Sequence, residues 1–359
     1  MKRIFGLLLA CGLLLAVSQQ LAVTTATAQQ GSQEQGHGQE PPDASQRALF
    51  SKIDAYVTCL NDLSATIYRS RERYFNWAPR SGPTGRESHI GGIDSSDNPA
   101  KCRDSIAMVN DVAPHHPQFE DAASAYVNAV TKLYPLTKEL HLYYENDTYE
   151  DDHMARGKAL HPPLLAAFDE FFAADRKLRD LIDPVNDNRA HQELASLERQ
   201  TGRDLSYEFA ALLIDAKTLV NALRTTPDIA RITAALSQYD TSIATVSTLD
   251  EAARNNNRRG VDSFALGYAK ELRADTKIFM RRLRNKTPYN IGDQLLLRGF
   301  HLTGWMARGS LPNLANSYNR MIDFTNRGTT SPSLKWIPLS PADVMVNGTG
   351  RMLKGTGTK

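Results

Sequence analysis

Cysteine, excess charge of one sign and long hydrophobic runs are all scarce in this 359-residue chain. Its 42 Lys and Arg residues nearly match its 40 Asp and Glu residues, which argues against a dedicated nucleic-acid binder with its usual basic excess. After the N-terminal segment, no apolar run is long enough to span a bilayer. The sequence also lacks Cys-x-x-Cys, Gly-x-Ser-x-Gly and a Gly-Lys-Ser/Thr ending, so thioredoxin-like, serine-hydrolase and P-loop chemistry have no support.

The N-terminus has the pattern of an export signal. Met1-Lys2-Arg3 is positive, an apolar run follows from Ile4 to Val17, and Ala26-Thr27-Ala28 is a small-x-small cleavage site. We therefore expect residues 1–28 to be removed and an exported, periplasmic protein to begin at Gln29. The alternative is a lipoprotein anchored through Cys11, because Leu8-Leu9-Ala10-Cys11 is similar to a lipobox. The apolar run continues beyond that cysteine, which favours the soluble form.

Removing the signal leaves two cysteines, Cys59 and Cys102. A lone pair in an oxidising compartment normally forms a bond, so the sequence predicts a Cys59–Cys102 disulfide. The alternative is two free thiols, with Cys59 packed on the apolar face of a helix.

Apolar residues recur at spacings of three and four along most of the chain, the period of amphipathic helices. The pattern predicts an all-α bundle of long helices with short connections in residues 44–328, between a disordered tether at 29–43 and a disordered tail at 329–359. We expect Pro135 to kink or end a helix and Asp183-Pro184 to separate two others. The predicted helices cover about 44–77, 100–112, 117–140, 160–182, 194–223, 228–246, 261–285 and 311–326.

Several motifs, in order, resemble the YiiG-like family of exported bacterial proteins, a domain of unknown function. They are Tyr56-Val57-x-Cys59-Leu60-Asn61, Ser70-Arg71-x-Arg73-Tyr74-Phe75-x-Trp77, Ser81-Gly82-Pro83-Thr84-Gly85, Ala122-Ala123-Ser124-Ala125-Tyr126, Tyr143-Tyr144, Lys158-Ala159-Leu160-His161-Pro162, Lys286-Thr287-Pro288-Tyr289, Trp305 and Gly309-Ser310. The resemblance covers residues 45–326. It implies an exported helical protein, often a lipoprotein, and implies no activity, substrate or catalytic residue.

An acidic and histidine-containing cluster at 145–161 is the candidate for metal chemistry. Carboxylates and imidazoles bind Zn²⁺ or Mn²⁺, and the candidate ligands are Asp151, Asp152, His153 and His161. Their spacing fits neither His-Glu-x-x-His nor an EF-hand. The simpler interpretation is that acids gather where a helix begins and that His161 packs or caps, so no metal or other cofactor is predicted.

Two further features are candidate contact surfaces. The Gly- and Pro-rich loop at 78–93 would be a recognition loop, with Arg80, Thr84, Arg86 and His89 exposed on it. Residues 254–286 contain ten basic and three acidic residues. Helical spacing places five of the basic residues on one face, as a stripe that suits anionic lipid, lipopolysaccharide phosphates or an acidic partner: Lys270, Arg273, Lys277, Arg281 and Arg284. The alternative is a solvated face neutralised by acids of neighbouring helices.

These features lead to two hypotheses. The first is a non-enzymatic helical binding or scaffold module of the cell envelope, whose partner is an envelope protein or an anionic envelope polymer or lipid surface, with no nucleic acid and no transmembrane helix in the mature chain. The second is a metal-assisted hydrolase that uses the 145–161 cluster.

Overall fold

The computed structural model describes residues 43–224, 228–327 and 332–337, and these contain helices and no strands, so the predicted all-α fold is confirmed. The signal peptide, Cys11, the tether up to residue 42 and the tail from 338 lie outside the described residues. The helices are α1 (Ala44–Phe75), α2 (Ala100–Asn110), α3 (Pro117–Glu145), α4 (Thr148–Asp151), α5 (Ala155–Thr201), α6 (Leu205–Arg224), α7 (Ile229–Asn255), α8 (Ser263–Asn285), α9 (Ile291–Arg298) and α10 (Leu311–Asn326), with a 3₁₀ turn at Gly304–Met306.

Polar side chains mark where several of these helices begin. Asp43 accepts a hydrogen bond from the backbone N–H of Gln46, whose own side chain accepts from the N–H of Asp43, which completes a capping box. Asp228 caps α7 and Asp262 caps α8, each by accepting from two backbone N–H groups of the first turn. Each cap satisfies amide groups that the first turn of a helix leaves without an intrahelical partner.

The predicted helix boundary at Asp183-Pro184 is wrong, because α5 continues through Pro184 to Thr201. A proline inside a helix removes one hydrogen bond and costs about 3 kcal/mol. Leu178 and Ile182, in the turns before Pro184, are completely buried, and this packing offsets the cost. The helix ends instead at Gly202, which adopts a φ of +70°. Helix α3 likewise continues through Pro135.

The helices enclose two hydrophobic cores. The first lies between α1, α2, α3 and the N-terminal part of α5, and includes Ile53, Tyr56, Leu60, Ile67, Tyr126, Val130, Leu133, Leu164, Phe168 and Phe171. The second lies between α6, α7, α8 and α10, and includes Leu212, Leu219, Tyr239, Val246, Ala269, Leu272, Leu314 and Met321.

A short segment without regular secondary structure, at 332–337, joins the two cores. Leu334 is buried in the first core and Trp336 in the second. Asn61 of α1 bonds the backbone on both sides of Leu334, at the Ser333 carbonyl and the Lys335 N–H. These six residues therefore belong to the packed body, which differs from the expectation that the tail as a whole is disordered.

The Cys59–Cys102 disulfide is present and ties α2 to α1. The two Cα atoms are 5.5 Å apart, within the range that a disulfide spans. Both cysteines are buried in the first core. The bond closes a loop with a sequence separation of 43 that contains the whole segment between the two helices.

Replacing both cysteines, as C59A/C102A, should lower the free energy of unfolding by about 4 kcal/mol on the chain-entropy model, because the unfolded chain is no longer cross-linked. Urea denaturation measures the change. Reductant should destabilise the parent protein to a similar extent and leave the variant unaffected. Equal urea midpoints for parent and variant would mean that the bond does not stabilise the fold.

Candidate functional site

The loop at 78–93 and the cluster at 145–161, which are separate in sequence, meet at one end of α1, α3 and α5. The His161 Nε2 atom lies 3.0 Å from the Arg80 carbonyl oxygen. The backbone at Gly85 packs against Met154. Two of the candidate regions therefore form a single structural unit.

His161 is buried at the centre of this unit, with 5% of its surface exposed. Its Nε2 can only donate to the Arg80 carbonyl, so the neutral ring has Nδ1 free to accept from the Tyr74 hydroxyl, 2.8 Å away. Both ring nitrogens are thus engaged within the protein. This agrees with the interpretation of His161 as a packing residue, and a metal ion would have to displace one of these bonds.

Gly82 is required where the loop passes over His161. Its φ is +104°, a region that favours glycine. A Cβ atom built on Gly82 would lie 3.1 Å from the His161 Cδ2 atom. The close approach of the loop backbone to the imidazole therefore depends on the missing side chain.

The motif at the end of α1 anchors the other side of the loop. The Arg73 Nε donates to the Gly91 carbonyl at 2.8 Å, and the Trp77 Nε1 donates to the Gly92 carbonyl at 2.7 Å. Arg73 also forms an ion pair with Asp94. These contacts give the Ser70–Trp77 motif a structural role in holding the loop.

Glu87 accepts hydrogen bonds from backbone N–H groups inside the same loop. Its carboxylate accepts from the Thr84 N–H at 2.6 Å, the Gly85 N–H at 2.8 Å and the Thr84 hydroxyl at 2.8 Å. Burial alone would raise the pKa of Glu87, but these hydrogen bonds outweigh it and hold the pKa below its ordinary value. These donors are thus already engaged by a carboxylate of the same loop.

The four predicted recognition residues lie on the outside of this anchored loop. Arg80, Thr84, Arg86 and His89 are all exposed. The Arg80 guanidinium lies 6.0 Å from the centre of the Phe75 ring. Their role in recognition stays a prediction.

The acidic residues before α5 do not converge on a common point. Asp152 accepts from the Tyr143 hydroxyl at 2.6 Å and from the N–H groups of Ala155 and Arg156, and the Tyr143 bond is the main reason that the pKa of Asp152 is lowered. Asp151 and His153 are exposed. Across residues 43–224, 228–327 and 332–337, no three His, Cys, Asp or Glu side chains are grouped so that they could hold a metal ion. The position of Asp152 agrees with the simpler interpretation, in which acids gather where a helix begins.

The cationic stripe on α8 divides into two parts. Arg273 and Lys277 pair with Asp240 of α7, at 3.7 and 2.7 Å. A single carboxylate of a neighbouring helix therefore partly offsets the charge of these two. Lys270, Arg281 and Arg284 are exposed and, within the described part of the chain, form no ion pair.

Comparison with known proteins identifies the family. A family described as "Protein of unknown function (DUF3829)" matches residues 47–327, which is most of the chain. The chain belongs to the DUF3829 family. It is 29% identical over 290 residues to "Uncharacterized protein YiiG" of Escherichia coli (strain K12), covering 79% of this chain and 81% of that protein. No solved structure matches the chain.

The DUF3829 match includes both cysteines, the anchored loop and the cationic stripe, whereas the 332–337 segment lies beyond its end. The resemblance read from the motifs is therefore confirmed at the level of the family. Neither the family description nor the relative's name supplies an activity.

A buried ionic network in the first core was missed by the sequence analysis. Asp175, with 1% of its surface exposed, accepts from the Ser64 hydroxyl at 2.6 Å, the Tyr68 hydroxyl at 3.2 Å and the Arg179 Nε at 2.9 Å. A buried charge pair needs such additional hydrogen bonds. The signal was present in the sequence, because Asp175 falls four residues after Phe171, on the apolar face of α5.

A second unpredicted contact joins α1 to the chain after α9. The Glu72 carboxylate accepts from the backbone N–H groups of Phe300 and His301. Burial raises the pKa of Glu72 to about 7, although these hydrogen bonds oppose the rise. Burial, together with the charge of Arg71, lowers the pKa of His301 to about 4. Both groups are therefore largely uncharged in weakly acidic solution.

A groove of about 260 Å³ lies between α5, α6, α10 and the 332–334 segment. Its lining contains both apolar side chains, such as Leu197, Leu213 and Ile322, and polar ones, such as His191 and Lys217. The volume is just below the range of about 300–1,000 Å³ that is usual for small-molecule sites. None of the candidate residues from the sequence lines this groove.

Gly82→Ala should lower the free energy of unfolding by about 1–3 kcal/mol, because it adds a side chain at positive φ against His161. A double-mutant cycle measured by urea denaturation isolates the steric contribution, which His161→Ala should relieve. The loss of unfolding free energy in G82A/H161A should therefore be about 1 kcal/mol smaller than the sum of the losses in the two single variants. Gly202→Ala is the control, since Gly202 also has positive φ but no atoms within 4 Å of the added Cβ. The losses of unfolding free energy in G202A and H161A should simply add in the double variant. Simple addition of the losses in G82A and H161A would contradict the contact between Gly82 and His161.

Glu72→Gln should change how stability depends on pH. The folded protein keeps a proton on Glu72 up to about pH 7, whereas the unfolded chain loses it near 4.5, so this group makes the free energy of unfolding fall as pH rises between those values. His301 makes the free energy of unfolding rise with pH between about pH 4 and pH 6.5, because its pKa is lower in the folded protein than in the unfolded chain. The variant should therefore gain stability relative to the parent as pH rises, by as much as about 3 kcal/mol.

Urea titrations between about pH 5 and pH 8 measure this difference. Glu145→Gln, a change at an exposed residue, serves as the control and should follow the parent's dependence of stability on pH. A pH-independent gap between Glu72→Gln and the parent would show that Glu72 titrates in the folded protein as it does in the unfolded chain.

Proposed function

We propose that this DUF3829 chain is an exported, non-enzymatic helical binding module of the cell envelope. Its contact surface includes the three exposed cations of α8, namely Lys270, Arg281 and Arg284. The observation that carries the proposal is that these cations lie on an ordered helix while their two neighbours on the same face are already paired.

The compartment is supported by the sequence and by the disulfide. The signal at 1–28 with its site after Ala28, or the lipobox at Cys11, would direct export, although both lie outside the described residues. A buried Cys59–Cys102 bond is compatible with an oxidising compartment. None of the described helices combines the length and hydropathy needed to cross a bilayer.

The partner of the cationic surface is an anionic polymer or lipid of the envelope, or an acidic envelope protein. Each cation held near an anionic membrane contributes about 1 kcal/mol to binding, and this attraction weakens as the salt concentration rises.

The domain boundaries that we propose are 1–28 for the signal, 29–43 for a tether and 44–328 for the helical domain, followed by a tail from 329 of which residues 332–337 pack onto the helices.

The hydrolase alternative gains no support from the geometry of its residues. His161 uses both ring nitrogens inside the protein, and Asp152 caps α5. The remaining candidates, Asp151 and His153, lie on the surface.

The test is retention of the purified protein on washed envelope fractions of Escherichia coli. Reversing the three cations, as K270E/R281E/R284E, should weaken retention by about two orders of magnitude or more and remove most of its salt dependence. The matched control is K101E/K138E/K177E, which changes the net charge equally at three exposed lysines around the first core. The control should keep most of the parent's retention.

Equal weakening by both variants would mean that only net charge matters, and it would remove α8 as the contact surface. No weakening by either variant would overturn the proposal, as would turnover of a substrate by the purified chain.

A further inference from the structure

Four large apolar side chains are strongly exposed on α9 and the 3₁₀ turn that packs against it. Ile291 is 79% exposed, Leu295 55%, Trp305 46% and Met306 50%. We call these four residues the α9 face. Nine large apolar side chains are strongly exposed among the described residues, so this short stretch holds almost half of them. Such a concentration of exposed apolar surface is typical of an interaction site.

The α9 face belongs to an ordered element. The Asn290 side chain caps α9 by accepting from the Asp293 N–H. Ile291 and Leu295 are one turn apart and lie on the outer side, whereas Leu297 is buried on the inner side. The 3₁₀ turn is held by the Asn313 side chain, which donates to the Trp305 carbonyl at 2.9 Å.

Basic residues lie before, within and after the α9 face in the sequence. Residues 281–308 contain six Lys or Arg residues and one acid, a net charge of +5. Arg282 pairs with Asp293 and so fixes α9 against the last turn of α8. Arg281, Arg284, Lys286 and Arg298 are exposed and form no ion pair within the described ranges.

The Tyr289 hydroxyl donates to the Gly309 carbonyl at 3.2 Å, which holds the chain after the 3₁₀ turn beside the start of α9. Gly309 in turn packs closely on Ile278 of α8. The end of α8, α9 and the chain after the 3₁₀ turn are therefore packed against one another.

We propose that the α9 face docks on an anionic phospholipid bilayer, with its four apolar side chains in the headgroup region and the surrounding cations on the lipid phosphates. The proposal makes the function proposed above more specific, because both use Arg281 and Arg284. It adds a hydrophobic contact that a purely electrostatic surface does not make.

The combination of residues favours a bilayer over a protein or a soluble polymer. A tryptophan and aliphatic side chains bordered by Arg and Lys are what interfacial membrane segments present, since the rings and chains enter the headgroup layer while the cations stay with phosphate. A soluble anionic polymer offers no apolar environment in which Ile291 and Leu295 could be buried.

The first experiment measures sedimentation of the purified protein with vesicles of phosphatidylglycerol and phosphatidylethanolamine, compared with vesicles of phosphatidylcholine alone. The parent should bind the anionic vesicles at least tenfold more strongly. The variant I291S/L295S keeps the net charge and should lose at least tenfold in binding to the anionic vesicles.

The matched control is M108S/V112S, which replaces two apolar residues that are 70% and 56% exposed at the end of α2 and just beyond it. It should bind like the parent. Because all four positions are exposed, both variants should keep the parent's unfolding midpoint. Equal binding by I291S/L295S and the parent would overturn the proposal.

The second experiment asks whether Trp305 enters the bilayer. Brominated lipids in the anionic vesicles should quench part of the tryptophan fluorescence, and W305F should remove that part when both proteins are measured at lipid concentrations high enough to bind them fully. Quenching that is the same in W305F and the parent would contradict insertion of the α9 face.

The two proposals can fail separately. If K270E/R281E/R284E loses envelope retention while I291S/L295S binds vesicles normally, the cationic module stands and the bilayer contact falls. If vesicle binding depends on Ile291 and Leu295 but envelope retention is insensitive to charge reversal, the bilayer contact stands alone. Binding of an acidic protein with no affinity for vesicles would also overturn the bilayer proposal.

Discussion

The continuity of helix α5 through Pro184 is the constraint on which the rest of the structure depends. Its first turns carry His161, against which the loop at 78–93 is packed. Its middle supplies Asp175 and Arg179 to the first core, and Arg179 reaches the Lys335 carbonyl in the segment that joins the two cores. A break at Pro184 would free the second half of α5, so the buried packing before that proline holds the two cores on one framework.

The parts of this structure that follow from local pattern were predictable. Helical spacing of apolar residues indicates the bundle, and a lone cysteine pair indicates the Cys59–Cys102 bond. The boundary at Pro184 was not predictable, because the cost of an internal proline is local whereas the packing that offsets it comes from residues far away in sequence. The same holds for Asp240, which lies thirty-three positions or more before the two cations that it pairs with.

The motifs that carry the family resemblance prove to be mainly structural. Gly82 allows close approach to His161, while Arg73 and Trp77 hold the opposite side of the loop by its carbonyl groups. In the 145–161 cluster, His161 and Asp152 are thus engaged within the protein, while the predicted recognition residues of the loop are exposed. The stretch richest in exposed apolar side chains lies elsewhere, on α9 and the turn that follows it, and exposed cations lie near it at the end of α8. We therefore propose that binding takes place at the end of α8, on α9 and on the 3₁₀ turn, whereas the loop at 78–93 stabilises the fold.

Hydrogen–deuterium exchange of the protein with and without anionic vesicles tests this division most directly. The account predicts slower exchange of backbone amides in residues 281–306 when vesicles are present and unchanged exchange in residues 78–93. Protection confined to the loop at 78–93, or protection nowhere, would contradict it.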